Sequence, residues 1–298
     1  MKQFAFKKID AFATPSSSGN PAGLISLRAE TDITVPDMQR IARELKGFVS
    51  EVGYAWPLPD GSFRLRYFSS EREVEFCGHA TIAILFDLLQ NNPGLLARPS
   101  LTIRTNSATL EVENRIPAEN AVYITSPAPR FRTNAIDTSS LARALRTGPS
   151  TLSDSLPVSI VNAGLETLIV PMATLDSVLS LAPDQEELKA YCLPQSVDIL
   201  TVFSEETSTP AHRFRTRVFA PTFGYLEDPA TGSGNAALGH YLLQHNRWDG
   251  SPISLEQNGN RSAPNLIRLV AKPSPRGTPS VLFGGGAIVR IHGHYVLP

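Results

Sequence analysis

The stretch Glu75–Gln90, EFCGHATIAILFDLLQ, opens with polar and small residues and continues as an apolar run broken only by Asp87. A helix that is apolar on nearly every side is a buried helix. The N–H groups of its first turn have no partner within the helix and need one outside it. Because Thr81 and His79 are poor apolar fillers, the stretch predicts a buried helix whose start opens onto a polar, anion-binding site.

The composition is that of an ordinary globular protein and excludes several classes of partner. The 298 residues are 42% apolar and 18% charged, which suits one large or two ordinary domains. With 27 basic and 28 acidic side chains the formal net charge is −1, so nothing favours nucleic acid or an anionic membrane. No window approaches the roughly 18 apolar residues of a membrane span, and the first residues lack a signal-peptide pattern. Two cysteines are too few for a disulfide framework, and a cytoplasmic location is expected.

The first half of the chain is predicted to contain mostly antiparallel strands with two helices. One helix is the opening stretch, and the other is predicted over Asp37–Phe48 from apolar residues at helical spacing. Alternating or apolar runs predict strands over Phe4–Phe12, Ala22–Leu27, Val49–Trp56, Phe63–Phe68, Thr102–Glu113 and Ala121–Thr125.

The second half of the chain repeats sequence motifs of the first half in the same order. Phe63–Phe68 (FRLRYF) matches Phe214–Phe219 (FRTRVF) at four of six positions, and the Leu-Leu-Gln that ends the opening stretch recurs at 242–244. A second buried helix is therefore predicted over Gly234–Gln244, and the order of the matches predicts two similar domains rather than unrelated segments. The boundary is placed in a proline-rich region, giving domains 1–126 and 127–298. The last strands, Val281–Phe283 and Ala287–Val296, could complete either domain.

Both predicted buried helices begin at a small turn that contains glycine. The two turns are Cys77-Gly78-His79 and Thr231-Gly232-Ser233. Glycine lets a ligand approach the backbone, and the helix dipole favours a carboxylate or a developing enolate there. We expect the two helix starts to face each other across an interdomain cleft. Either turn alone would more often be an N-cap, but the pair favours a site.

These residues resemble a known family, the PhzF-like isomerases of phenazine biosynthesis. The resemblance implies an α+β fold of the diaminopimelate-epimerase type. Such a fold has two pseudo-symmetric domains, each a mostly antiparallel, barrel-like sheet around a central buried helix. The matching stretches are spread over both halves and comprise Gly19–Ala22, Ser50–Glu51, Arg66–Thr81, Gly164–Val170 and Val218–Gly234.

The resemblance also implies roles for individual residues. The catalytic residues would be Glu51 as general acid/base, with His79 and Asp228 orienting the substrate. The substrate would further contact Asn20, Cys77, Gly78, Thr231, Gly232 and Ser233. No metal and no cofactor are expected, and the family suggests a homodimer.

The residues around Glu51 and Cys77 lead to predictions about proton transfer. Val52, Tyr54 and Trp56 follow Glu51 and are expected to desolvate it, raising its pKa toward neutrality; the alternative is a surface carboxylate at a strand start. A thiol at a helix N-terminus, as at Cys77, is expected to have a lowered pKa. Racemases of this fold use two opposed cysteines, one at each helix start. The second helix start of this chain carries threonine, and its other cysteine lies far from both turns, which favours a single base.

Together these features predict a cofactor-independent isomerase that moves a proton on a small carboxylate-bearing metabolite. One alternative is an epimerase or dehydratase-type lyase acting on an amino or hydroxy acid. A second is a non-catalytic binder, suggested by Val52-Gly53, where the family often carries a hydroxyl residue and a larger one. The third is a structural protein, in which both glycine turns would be only helix caps.

Overall fold

The computed structural model describes residues 2–132, 136–273 and 277–298, and it shows a mixed α+β protein. The chain divides into two compact units. Unit 1 comprises Met1–Ile124 and Gly284–Pro298, and unit 2 comprises Thr125–Phe283. The division therefore follows Ile124 rather than residue 126. The final strand lies in unit 1, which is one of the two placements that the sequence allowed.

Unit 1 is built on a mostly antiparallel set of strands with four α-helices among its described residues. The helices are α1 (Val35–Glu44), α2 (Gly78–Gln90), α3 (Pro93–Leu96) and α4 (Ile116–Glu119). The strands are β1 (Lys2–Ala11), β2 (Asn20–Ser26), β3 (Glu51–Pro57), β4 (Phe63–Ser69), β5 (Glu73–Val74), β6 (Ser100–Arg104), β7 (Thr109–Asn114), β8 (Val122–Thr125) and β18 (Ala287–Leu297).

The helix α2 is the buried element predicted by the opening stretch. Nine of its 13 residues are buried. It begins at Gly78, within the predicted glycine turn, and Cys77, which has an extended backbone, is its N-cap residue. Its one acidic residue, Asp87, forms an ion pair of 2.7 Å with Lys7 of β1, which explains how a carboxylate is tolerated in an apolar run. In the described part of the chain, no helix has the length and apolar character needed to cross a membrane.

Unit 2 contains the second buried helix and its own strands. Its helices are α5 (Thr138–Ala144), α6 (Leu175–Leu179), α7 (Gln185–Cys192) and α8 (Gly232–Gln244). Its strands are β9 (Arg130–Arg132), β10 (Ser159–Asn162), β11 (Glu166–Pro171), β12 (Ile199–Ser204), β13 (Phe214–Phe219), β14 (Glu227–Asp228), β15 (Ile253–Gln257), β16 (Asn265–Lys272) and β17 (Ser280–Gly285), with which the chain leaves the unit. Helix α8 begins at Gly232, two residues before the predicted start at Gly234.

The two units share one order of strand pairing. In unit 1, β2–β3 and β4–β6 are parallel, while β3–β4, β4–β5 and β6–β7 are antiparallel. In unit 2, β11–β12 and β13–β15 are parallel, while β12–β13, β13–β14 and β15–β16 are antiparallel.

A pair of ionic contacts accompanies this repeated order. Arg66 of β4 makes a two-pronged contact with Glu73 at 2.7 and 2.8 Å, and Arg217 of β13 does the same with Glu227 at 3.0 and 2.8 Å. Both arginines belong to the six-residue stretches that match in sequence. The repeat therefore corresponds to repeated local structure, while a symmetry axis between the units stays a prediction.

The buried histidine of α8 leads to a prediction about acid stability. His240 is 3% exposed, its Nε2 lies 3.0 Å from Ser126 Oγ, and burial lowers its pKa to about 4. Its unfolded pKa is near 6.5, so on acidification the unfolded state takes up a proton before the folded state does. Stability is therefore fully present above about pH 6.5 and is lost as the pH falls toward 4. Between pH 7 and 5, urea titrations should show about 2 kcal/mol more loss for the natural chain than for His240→Gln. Equal losses in the two proteins would contradict this account.

Candidate active site

Three side chains that the sequence assigned to the site meet at the start of α2. Glu51 Oε2 lies 3.0 Å from His79 Nε2 and 3.6 Å from Cys77 Sγ, and Cys77 Sγ lies 3.8 Å from His79 Nε2. The side chains of Glu51 and His79 are 19% and 11% exposed, and Cys77 is 8% exposed. The group is thus largely enclosed but still reachable by solvent.

Close packing between β3 and α2 brings this group together. Glu51 is the first residue of β3, and a Cβ placed on Gly53 would lie only 2.2 Å from Ile84 Cδ1 of α2. Glycine at this position therefore allows the helix to lie directly against the strand. This packing gives Gly53 a structural reason, and the non-catalytic binder stays an alternative prediction.

The first turn of α2 is fixed from within the unit. Thr81, expected to mark a polar opening, is fully buried; its hydroxyl donates to Cys77 O at 2.7 Å and lies 2.6 Å from the hydroxyl of Tyr67. Since the Thr81 proton is used in this way, Tyr67 is the donor to Thr81. The Cys77 side chain makes no capping bond, and Gly78 is the first helical residue. The turn is therefore held by Thr81, and the side chains of Cys77 and His79 are not needed to cap the helix.

The prediction of what surrounds Glu51 is wrong. Val52, Tyr54 and Trp56 belong to a core cluster with Met38 and Ile41 of α1, so they pack on the face of β3 that lies toward α1. Successive side chains of a strand point to opposite faces, so these residues do not cover the carboxylate. Burial of Glu51 comes instead from the side of α2.

The predicted pKa shifts of the acid and the thiol are also wrong, because the three groups affect one another. Burial raises the pKa of Glu51, but the charge and hydrogen bond of His79, together with the Cys77 hydrogen bond, outweigh burial and lower it. Burial and the Glu51 carboxylate raise the pKa of Cys77. Burial would lower the pKa of His79, but the sulfur and the carboxylate beside it raise it well above its ordinary value. The resting site is thus a carboxylate–imidazolium pair beside a neutral thiol.

Asn20 lies behind Glu51 and is not exposed. It has no exposed surface, and its Oδ1 accepts from Ser50 Oγ at 3.1 Å, while the Ser50 N–H donates to Pro21 O at 2.9 Å. Both bonds fasten the start of β2 to the residue before Glu51. These contacts give Asn20 a positioning role, and its predicted substrate contact stays a prediction.

The start of α8 in unit 2 brings together the other predicted residues. Thr231 Oγ1 donates to Asp228 Oδ2 at 2.6 Å and makes no bond to the helix amides, so Thr231 is not a side-chain N-cap. A Cβ on Gly232 would lie 2.3 Å from the ring of Phe283, so only glycine fits at this position. Ser233, the next residue, is partly exposed.

Sequence reasoning missed Gln257, which holds this turn. Its Oε1 accepts from Thr231 N at 2.9 Å and from Asn235 Nδ2 at 2.7 Å. Its Nε2 donates to Asp228 O at 2.8 Å and to Thr231 Oγ1 at 3.1 Å. Because Thr231 accepts from Gln257, its own proton points to the Asp228 carboxylate. The signal in the sequence was a polar pair, Glu256-Gln257, that ends the strand Ile253–Gln257 and is fully buried.

Replacing Gln257 by leucine is expected to lower the free energy of unfolding by about 3 kcal/mol, because buried donors at Thr231 and Asn235 lose their acceptor. Gln195 is the matched control, since its amide makes one bond, of 2.9 Å, to Tyr191 O and is only partly buried. Gln195→Leu should cost less than about 1 kcal/mol. Urea unfolding of both variants measures this difference, and equal costs would show that the Gln257 bonds have no special weight.

The chain matches a protein-family model and is similar to proteins that are named isomerases. The model for phenazine biosynthesis-like proteins (PhzC-PhzF) matches residues 9–293. The chain belongs to this family. It is 29% identical over 261 residues to an uncharacterized isomerase of Bacillus subtilis, covering 86% of this chain and 87% of the relative. It is 27% identical over 292 residues to the trans-2,3-dihydro-3-hydroxyanthranilate isomerase of Pseudomonas fluorescens, covering 94% and 98%. Membership and these relatives support an isomerase.

Solved structures show the fold. The PhzF-family phenazine biosynthesis protein of Bacillus anthracis is similar with a TM-score of 0.87 at 24% identity, covering 100% of both chains. The hydroxyproline epimerase of Agrobacterium vitis is similar with a TM-score of 0.59 at 11% identity, covering 98% of this chain and 92% of that one. The α+β fold is therefore that of the PhzF family and is related to that of proline-type epimerases.

Proposed function

We propose that the protein is a cofactor-independent isomerase that moves a proton on a small carboxylate-bearing metabolite, with Glu51 as the single general acid/base. The observation that carries the proposal is the contact of 3.0 Å between the Glu51 carboxylate and His79 at the start of a buried helix. This contact supports a base at Glu51 beside groups suited to holding negative charge.

In the proposed reaction, Glu51 removes a proton from a carbon next to an unsaturated or carbonyl system. It then returns that proton at another carbon. The charge that develops would be stabilised by the His79 cation and by the amides of Gly78 and His79 in the first turn of α2. A preorganised donor of this kind supplies roughly 2.7–4 kcal/mol to such a transition state.

His79 would also set when Glu51 becomes a strong base. Burial favours a raised pKa of Glu51, and the neighbouring imidazolium is the main influence that opposes it. A substrate anion that takes the hydrogen bond of His79 would remove part of that opposition. The base would then strengthen when a substrate is bound.

In unit 2 we assign Asp228 to orienting the substrate, and the Gly232 and Ser233 amides to holding negative charge. The support is the resemblance to the family together with the fixed geometry of the turn, in which Thr231 donates to the Asp228 carboxylate. The proposal assigns no acid or base role to Thr231, since a hydroxyl is too weak an acid near neutral pH. We expect Thr231 to orient Asp228.

A two-thiol epimerase is the second candidate, because the fold is similar to that of a hydroxyproline epimerase. It requires a second thiol opposite Cys77. The remaining cysteine, Cys192, is fully buried in the core of unit 2, and burial together with the charge of Asp198 raises its pKa to about 12. This arrangement favours the single-base reaction.

Deuterium exchange tests the proposal. The protein is incubated in deuterated water with trans-2,3-dihydro-3-hydroxyanthranilate, on which the Pseudomonas relative is named to act, and with a panel of unsaturated and amino acids. Proton NMR should show incorporation at carbon together with a double-bond shift for at least one compound. Loss of optical activity without a shift would favour the epimerase, and no exchange with any compound would overturn the proposal.

A homodimer and a cytoplasmic location stay predictions. Analytical ultracentrifugation would test the homodimer.

A further inference from the structure

Three different metal-binding side chains converge on one point in unit 1. Glu51, Cys77 and His79 each offer one ligand atom, and these atoms lie within 4.8 Å of one another. Among residues 2–132, 136–273 and 277–298, this is the single group of three or more histidine, cysteine or acidic side chains with such spacing. The set combines a thiol, an imidazole and a carboxylate, which are the three donor types that zinc uses in proteins.

The spacing fits one tetrahedral ion. Zinc–ligand bonds of about 2.0–2.3 Å place the ligand atoms of a tetrahedron roughly 3.3–3.8 Å apart. The three atoms Glu51 Oε2, His79 Nε2 and Cys77 Sγ are separated by 3.0, 3.6 and 3.8 Å. Small side-chain rotations would therefore bring all three into the first coordination shell without movement of β3 or α2.

We propose that Glu51, Cys77 and His79 bind Zn²⁺ as a three-ligand site with a fourth position open to water, and that the bound ion blocks Glu51. On binding, the thiol proton and the imidazolium proton pass to the buffer, and the sulfur, nitrogen and carboxylate lone pairs form bonds to the metal. No oxidation or reduction takes place. The thiolate and the carboxylate together cancel the charge of the ion, which offsets the unfavourable dipole of the α2 N-terminus.

The donor set also defines which ions the site rejects. Mg²⁺ and Ca²⁺ prefer six or more oxygen ligands, and this site offers one carboxylate beside sulfur and nitrogen. Co²⁺ accepts the same ligands as Zn²⁺, though it binds more weakly. The ion would be an inhibitor of the site and not a cofactor, because it engages the carboxylate that the proposed reaction needs free.

Cobalt absorption tests the site without any use of enzymatic activity. Reduced, metal-free protein is titrated with Co²⁺, and the thiolate-to-cobalt charge-transfer band and the tetrahedral d–d bands are recorded; Zn²⁺ is then added to displace the cobalt. One equivalent should bind, Cys77→Ser should abolish the charge-transfer band, and His79→Gln should weaken binding at least tenfold. Cys192→Ser is the matched control, because this second buried cysteine lies in the core of unit 2, and it should retain the band.

Several outcomes would overturn the proposal. These are the absence of a charge-transfer band in the natural chain, a band unchanged in Cys77→Ser, or a band lost in Cys192→Ser. Circular dichroism shows whether each variant is folded. Should Cys77→Ser not fold, selective alkylation of Cys77 in the folded natural chain serves instead and should prevent the band.

A second measurement concerns the blocking of Glu51 and rests on the proposed function. Saturating Zn²⁺ should suppress deuterium exchange at least tenfold, a chelator should restore it, and Mg²⁺ should have no effect. Exchange that continues or increases with Zn²⁺ bound would overturn the blocking. A protein with no exchange activity for any compound would refute the proposed function alone, since the cobalt spectrum would still show the metal site.

Discussion

Replacing Glu51 by glutamine is expected to lower the rate of deuterium exchange by roughly 10²–10⁴-fold, the usual contribution of a positioned general acid/base. Glutamine keeps the size of the side chain and can still accept a hydrogen bond from His79, but it cannot take up a proton at neutral pH. The loss should therefore fall on the chemical step, and binding of the substrate should change much less. Rates measured by proton NMR at saturating and at limiting substrate separate the two effects.

Two controls make this expectation specific to Glu51. Glu71→Gln removes an exposed carboxylate of the same unit, whose side chain is 77% exposed, and should leave the rate unchanged. Cys77→Ser distinguishes the base from the thiol, because a neutral thiol that only neighbours the carboxylate should be replaceable within about tenfold. Exchange that survives undiminished in Glu51→Gln, or that collapses only in Cys77→Ser, would contradict this expectation. It would show that the base is the sulfur of Cys77 and not the carboxylate of Glu51.

Helix α2 was predictable because its own stretch carries the signal, and α8 was predictable because its stretch repeats part of that pattern. α2 and α8 are 13 residues long and apolar on almost every side, and each starts at a glycine turn. A helix of this composition has no stable position except inside a core, whatever surrounds it. The family resemblance then placed Glu51 and His79 in one site, and the structure brings them to 3.0 Å.

The environment of each site residue was not predictable from its neighbours in sequence. The residues after Glu51 suggested an apolar surrounding, yet alternation along β3 turns Val52 and Tyr54 toward α1. The pKa of Glu51 is lowered against the effect of burial by His79, which is 28 residues away in the chain. Gln257 likewise acts on Thr231, 26 residues earlier, and no local pattern marks a contact of that kind. Long-range pairing decides these properties, and a single sequence does not show it.

Arg215→Met is expected to lower the free energy of unfolding by about 3–5 kcal/mol, because the buried Glu256 carboxylate loses its guanidinium partner. The carboxylate still accepts from His212 Nδ1 and from the amides of Ser208 and Thr209. Arg215 and Glu256 are both fully buried in unit 2, and the guanidinium donates to Glu256 Oε2 at 2.9 Å. The arginine also donates to the carbonyl oxygens of Asn258 and Asn260, each at 2.7 Å. Arg40→Met removes an exposed ion pair with Glu44, with side chains 45% and 43% exposed, and should cost less than about 1 kcal/mol.

A double-mutant cycle identifies the cause of that loss. In a Glu256→Gln background there is no carboxylate to lose its guanidinium partner, so Arg215→Met should cost clearly less there than in the natural chain. An equal cost in both backgrounds would show that the carbonyl contacts of Arg215, and not the ion pair, supply the stability.

The result also bears on the site, because Glu256 and Gln257 are adjacent on β15 and point to opposite faces of the strand. Arg215 fixes the strand from one face, and Gln257 uses the other to hold the turn that carries Asp228.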